Sequence, residues 1–147
     1  MKKILIIEDD RIVANIYRNK FSVEGYRVDV ALDGSAGLEM VHSFRPDAII
    51  LDLMLPGVTG VEVLKQLRSE PEYESLPVIV FSNTYLTNIV QEAWKAGATK
   101  CLSKANCSPK QLIEVVRSAL SKNGTTAAAP ASAATATVTA PGSPVAT

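Results

Sequence analysis

Charged side chains stand directly behind short apolar runs in this chain, and their types point to phosphoryl chemistry. The run Ile4–Ile7 is followed at once by Glu8, Asp9 and Asp10. Asp52 interrupts an apolar stretch between Leu51 and Leu53. Ser82 closes the run Val78–Phe81, and Lys104 follows the run Thr99–Leu102. A carboxylate set between leucines is expensive to bury without a partner. Several carboxylates brought together would also repel one another and raise their own pKa values. A divalent cation relieves both problems. Every candidate ligand is an oxygen, which suits a hard ion, and carboxylates with retained waters suit Mg²⁺. A dedicated calcium loop is not present in the pattern. A lysine opposite the metal would complete a pocket for a doubly charged oxyanion, the charge arrangement that phosphoryl transfer needs. A carboxylate in that pocket can act as nucleophile and carry an acyl phosphate.

Such a site forms only if the fold brings these run ends together. The apolar runs Ile4–Ile7, Tyr26–Ala31, Ala48–Leu51 and Val78–Phe81, with a weaker one at Thr99–Leu102, are short and rich in Ile and Val. They read as strands covered on both faces. Between them the apolar spacing is helical: Ile12 with Ile16, Val13 with Tyr17 and Phe21, and Leu112 with Val116 and Leu120. Ser108-Pro109-Lys110-Gln111 and Thr59-Gly60-Val61-Glu62 carry the marks of capped helix starts. Strands alternating with helices imply a parallel sheet with right-handed crossovers. About five βα units fit the length, giving an α/β doubly wound sandwich. In such sheets ligands bind beyond the carboxyl ends of the strands, where the first and third strands lie side by side. Glu8, Asp9, Asp52, Ser82 and Lys104 all occupy that edge.

Composition narrows the classes further. The 147 residues carry a formal net charge of +0, and 47% are hydrophobic. That balance leaves no electrostatic footprint for nucleic acid or an anionic membrane. No apolar run approaches a membrane span, and the run after the two N-terminal lysines is too short for a signal-peptide core. A cytoplasmic location follows, with Cys101 and Cys107 as reduced thiols rather than a disulfide or a zinc pair. Residues 1–122 form one domain. From Asn123 to Thr147 there is no charged or aromatic residue, which marks residues 123–147 as a disordered tail or linker.

Taken together and in order, ILIIEDD, DLMLPGVTG, VIVFSN and LSK make the sequence resemble a response-regulator receiver domain of two-component signalling over about residues 1–121. The resemblance implies a flavodoxin-like (βα)5 three-layer sandwich with strand order 2-1-3-4-5. It implies that Asp52 is the phosphoacceptor and that Asp9 binds Mg²⁺ directly, with Glu8 acting mainly through water. The backbone carbonyl of Met54 would be a further metal ligand. Ser82 would supply the switch hydroxyl, and Lys104 would contact the phosphoryl oxygens. A histidine kinase or histidine phosphotransfer protein would be the donor. A downstream protein target or tethered output domain would dock on about residues 85–121, with a homodimer as a further possibility. The role would be signalling, with self-phosphorylation and slow hydrolysis as the only chemistry.

Three positions depart from the family pattern. Cys101 stands where many members carry the aromatic switch residue, Ala105 where a proline is common, and Asn83 where Ala or Gly is frequent. A receiver-like docking module with little phospho-switching is therefore the alternative. An aspartate-nucleophile phosphatase would need an acid two residues after Asp52, and that residue is Met54. Plainer roles are expected elsewhere. Asp10 starts a helix, His42 is a surface residue, Trp94 packs partly on the sheet, and Cys101 is a small buried or half-buried apolar side chain.

Overall fold

A computed structural model describes residues 1–83 and 87–122. The expected tail at 123–147 and the first part of the expected docking surface, residues 85 and 86, lie outside the described residues. Five strands alternate with five helices: β1 Lys3–Ile7, α1 Arg11–Val23, β2 Arg27–Ala31, α2 Gly34–Phe44, β3 Ala48–Leu51, α3 Gly60–Ser69, β4 Val78–Ser82, α4 Thr87–Lys95, β5 Lys100–Ser103 and α5 Pro109–Lys122. A 3₁₀ turn, Pro71–Tyr73, follows α3. The strands form one parallel sheet in the order β2-β1-β3-β4-β5. The expected doubly wound, three-layer architecture is therefore present.

The strand composition explains the layering. The central strands β3 and β4 are buried along their whole length, and β1 is buried from Ile4 onward. Alternate side chains feed two separate cores, because successive residues of a strand point to opposite faces. Leu5, Ile7, Ile49, Leu51, Val78 and Val80 pack with Val41, Leu64, Leu67 and Ala93 beneath α2, α3 and α4. Ile4, Ile6, Ala48, Ile50, Ile79 and Phe81 pack with Phe21, Leu112 and Val116 beneath α1 and α5. On α1 the face carrying Phe21 is the packed one, with Tyr17 partly buried against the same core, while Ile12 and Ile16 are exposed. The two apolar spacings of α1 thus have different fates.

The helix starts behave as their sequences suggest. Thr59 and Glu62 form a reciprocal capping box. Ser108 and Gln111 do the same at α5, with bonds of 2.8 and 3.2 Å. Asp10 caps α1 by accepting from the Ile12 and Val13 amides. Trp94 is partly buried against the core under α4. His42 is exposed, but it is not idle. Its Nδ1 and Nε2 each lie 2.9 Å from an acceptor, the Leu38 carbonyl and the Glu70 carboxylate. Only the imidazolium donates to both, and the Glu70 bond raises the His42 pKa accordingly.

One cation tightens the end of the sheet opposite the acidic residues. The Arg68 guanidinium donates to the carbonyls of Gly97 at 2.7 and 3.0 Å, of Tyr73 at 2.8 Å and of Leu76 at 2.7 Å. It thereby joins α3 to the 3₁₀ turn and to the turn after α4. Gly97 has a φ of +108°, and a Cβ there would sit 2.9 Å from the Arg68 side chain. We expect Arg68→Ala to lower the unfolding free energy in urea by about 2–4 kcal/mol, because three carbonyls lose a charged donor in a half-buried place. Arg68→Lys should recover only part of it, since a lysine lacks the planar fork.

Candidate functional site

The carboxyl ends of β1, β3, β4 and β5 bring the sequence-derived residues together. Ladder hydrogen bonds run one residue past the strands and fix their backbones. The Asp52 amide donates to Ile7 O, Glu8 to Ala31 O and Lys104 to Ser82 O, each at 3.0 Å. These residues therefore inherit the rigidity of the sheet rather than the freedom of loops.

Asp52 is 7% exposed and Glu8 4%. Burial on that scale demands partners, and each carboxylate has them. Asp52 Oδ1 accepts from the Ser82 hydroxyl at 2.8 Å and from the Met54 amide at 3.2 Å. Its Oδ2 lies 3.6 Å from the Lys104 ammonium. Glu8 Oε1 takes a hydrogen bond from Lys104, and Oε2 accepts from the Asp10 amide at 3.1 Å. Asp9 is exposed beside them. Carboxylate oxygens of Glu8, Asp9 and Asp52 all lie within 4.8 Å of one another. Asp10 faces away as a helix cap, as its position in the sequence suggests.

The electrostatics follow from this crowding. Burial raises the Glu8 pKa; the Lys104 bond and the Asp10 amide oppose the rise, and the Asp52 charge adds to it. Burial alone would lower the Lys104 pKa, but the Glu8 bond and the charges of Asp52 and Glu8 more than offset it, so the net shift is upward. Lys104 is thus charged at neutral pH and serves two acids at once.

The turn after β3 is built as closely. A Cβ on Gly60 would lie 2.4 Å from the Asp52 carbonyl oxygen and 2.6 Å from Leu53 Cα. Only glycine lets α3 begin against the Asp52 backbone. In the sequence Gly60 shows only as part of a capped helix start, just after the capping Thr59. Met54 projects into solvent, 53% exposed. The three departures separate here. Cys101 is buried in the core beneath α4, whereas Asn83 and Ala105 are exposed at the rim.

Residues 4–117 match the family model of the response regulator receiver domain. The chain belongs to the response-regulator receiver domain family. Among curated proteins, response regulator MprA of Mycobacterium ulcerans is 45% identical over 80 residues, which are 54% of this chain and 34% of MprA. MprA of Mycobacterium avium is 44% identical over the same shares. The match therefore spans about a third of the length of these relatives. Among solved structures, the receiver domain of Francisella response regulator 1452 superposes with a TM-score of 0.75 and 30% identity, covering 84% of this chain and 99% of that one. Vibrio cholerae chemotaxis protein CheY4 superposes at 0.75 with 28% identity, covering 81% and 98%.

As a receiver, the chain is a phosphoacceptor switch domain of two-component signalling. Receivers are signalling domains, depend on Mg²⁺ in general, and work with histidine kinases and output domains. The acidic cluster fits such an ion by its chemistry: three carboxylates, all hard oxygen donors, around one point. Among the described residues, no helix is long and apolar enough to cross a membrane.

Cys101 gives the receiver a testable pH signature. Burial pushes its thiol up to about 12 from an ordinary 9.0. The neutral thiol favours the folded state, so this stabilisation is complete below pH 9 and is lost as pH rises toward the folded pKa. Between pH 8 and 10.5, Cys101→Ala should lose about 1–2 kcal/mol less stability than the parent chain in denaturant titrations. Equal losses would show that the thiol does not titrate differently on unfolding.

Proposed function

We propose that Asp52 accepts a phosphoryl group from the phosphohistidine of a histidine kinase or phosphotransfer protein, in a Mg²⁺-dependent reaction. One observation carries this reading. A single buried carboxylate meets a hydroxyl at 2.8 Å on one oxygen and a charged lysine at 3.6 Å from the other. Each group comes from a different strand, so the convergence is a property of the fold and not of a local turn.

An Asp52 oxygen forms the new O–P bond as the donor's P–N bond breaks, and that bonding pair stays on the imidazole nitrogen. Asp9 and Asp52 would hold the ion directly, with the Met54 carbonyl as a further ligand. Glu8 is the weaker candidate for direct ligation, since its oxygens already serve Lys104 and the Asp10 amide; action through water suits it. An ion held by these residues would supply charge neutralisation for the transferring group. Lys104 is placed to turn from Glu8 toward a phosphoryl oxygen on Asp52. Ser82, now donating to Asp52, is placed to donate to the phosphoryl group instead. These two exchanges bias a two-state arrangement of the surrounding loops and helices.

The same reading assigns residues 1–122 to the receiver and 123–147 to a tail or linker. The downstream target or output domain docks on about residues 85–121, where a homodimer could also form. The working compartment is the cytoplasm. The docking-module alternative is not favoured, because a mere scaffold has no need of two buried carboxylates sharing one lysine.

Incubation with acetyl phosphate and Mg²⁺ should yield an acid-stable, hydroxylamine-labile phosphoprotein, counted by intact mass. Asp52→Asn should abolish the label, and Lys104→Ala should slow it by about a hundredfold, the scale of losing one charged donor in a catalytic site. Undiminished labelling of Asp52→Asn would remove Asp52 from the role.

A further inference from the structure

Lys104 reaches both acids from the far side of the sheet. The strand order places β3 and β4 between β1 and β5. Neighbouring strands lie about 4.8 Å apart. A side chain leaving the end of β5 must therefore lie across β4 to meet Asp52 and Glu8. The register shows what it crosses. Ile7, Leu51 and Val80 are partners in one row. One residue further along each strand, the row reads Glu8, Asp52, Phe81. By the alternation of side chains these three share the face that α1 and α5 cover.

The side-chain geometry agrees. Phe81 is 3% exposed and belongs to the core on that face. Glu8, Asp52, Phe81 and Tyr17 all line one small cavity beneath the carboxylates. The Lys104 ammonium lies 6.0 Å from the Phe81 ring centroid. Behind Phe81, the Tyr17 ring of α1 packs edge-to-face, with centroids 5.1 Å apart and planes at 76°.

We propose that Phe81, backed by Tyr17, is a positioning residue for Lys104, an aromatic platform that carries the lysine stem between Glu8 and the phosphoryl group on Asp52. The proposal rests on the reading of Asp52 as phosphoacceptor. The Lys104 side chain is only 13% exposed, so its methylene stem needs apolar support while its head keeps polar partners. A ring face meets both needs, because its negative quadrupole attracts the ammonium and its carbon surface covers the stem. The attraction is also weakly directional. It holds the lysine equally well whether the ammonium points to Glu8 or to Asp52, which a hydrogen-bond acceptor would not do. Tyr17 fixes the ring plane, since an edge-to-face pair resists rotation. Burial raises the Tyr17 phenol pKa, Cys107 adds to the rise, and the Lys104 charge opposes it. A leucine at 81 would fill the core and leave the lysine without the face.

The test uses the full chain with Phe81→Leu, Tyr17→Leu and Tyr17→Phe. Initial phosphorylation rates with acetyl phosphate are compared with Mg²⁺ affinity from calorimetric titration and with thermal unfolding. Phe81→Leu and Tyr17→Leu should slow phosphorylation by about three- to tenfold, the span of a partly desolvated cation–π contact. Their Mg²⁺ affinity should stay within about twofold of the parent, and Tyr17→Phe should keep the parent rate. Unchanged rates in both leucine variants would overturn the platform. So would rates that fall in step with Mg²⁺ affinity, since that pattern means general loosening of the site. If Phe81→Leu fails to fold, the contrast between the two Tyr17 variants decides. A parent chain that takes no label would instead overturn the phosphoacceptor reading itself.

Discussion

Two buried carboxylates sharing one ammonium ion set the terms for the rest of this receiver. Glu8 and Asp52 are almost fully withdrawn from water, where an unpaired charge is very costly. Lys104 answers both. Removing either acid changes what the lysine faces, and removing the lysine leaves two like charges side by side. The sheet must therefore hold three strand ends in fixed relation. It does so with ladder bonds that extend past β1, β3 and β5 to Glu8, Asp52 and Lys104 themselves. The close seat of α3 on the Asp52 backbone, possible only with Gly60, serves the same end.

The arrangement is stable yet poised. Each Asp52 oxygen has a neighbour that can be exchanged: Ser82 and the Met54 amide at one, Lys104 at the other. On the proposed reading, a phosphoryl group on Asp52 would take over both Ser82 and Lys104. The aromatic pair beneath Lys104 fits that economy, because a ring face tolerates movement of the charge above it. Cys101 stands where the family resemblance leads one to expect an aromatic side chain. It is a small, neutral, buried thiol in the core under α4, with no ring to swing.

Much of this was legible in the chain because the signals were local. Short Ile- and Val-rich runs alternating with helical spacing announced a parallel sheet, and a parallel sheet announces where its ligands go. The types of Glu8, Asp9, Asp52, Ser82 and Lys104, each just past an apolar run, then sufficed to assemble the site. Asp10 was separable from the acidic pair because a cap is itself a local pattern. Less legible were features set by contacts distant in sequence. The spacing of Ile12 and Ile16 looked as core-like as that of Tyr17 and Phe21, and only packing against the sheet separated them. The bonds of Arg68 to Gly97, Tyr73 and Leu76 and the buttress of Gly60 gave no comparable sign.

By itself, then, the sequence determined the strand and helix order, the sheet edge where the polar residues gather and which residues gather there, because periodicity, caps and charge placement are written residue by residue. Only the tertiary structure decided how those residues divide their partners: which Glu8 oxygen serves Lys104, that Ser82 holds Oδ1 of Asp52, and that the lysine crosses the Phe81 ring to reach the acids. The physical reason is the register of β1, β3 and β4. It is set by the simultaneous packing of two cores, and no window of the chain contains more than one of the strands involved.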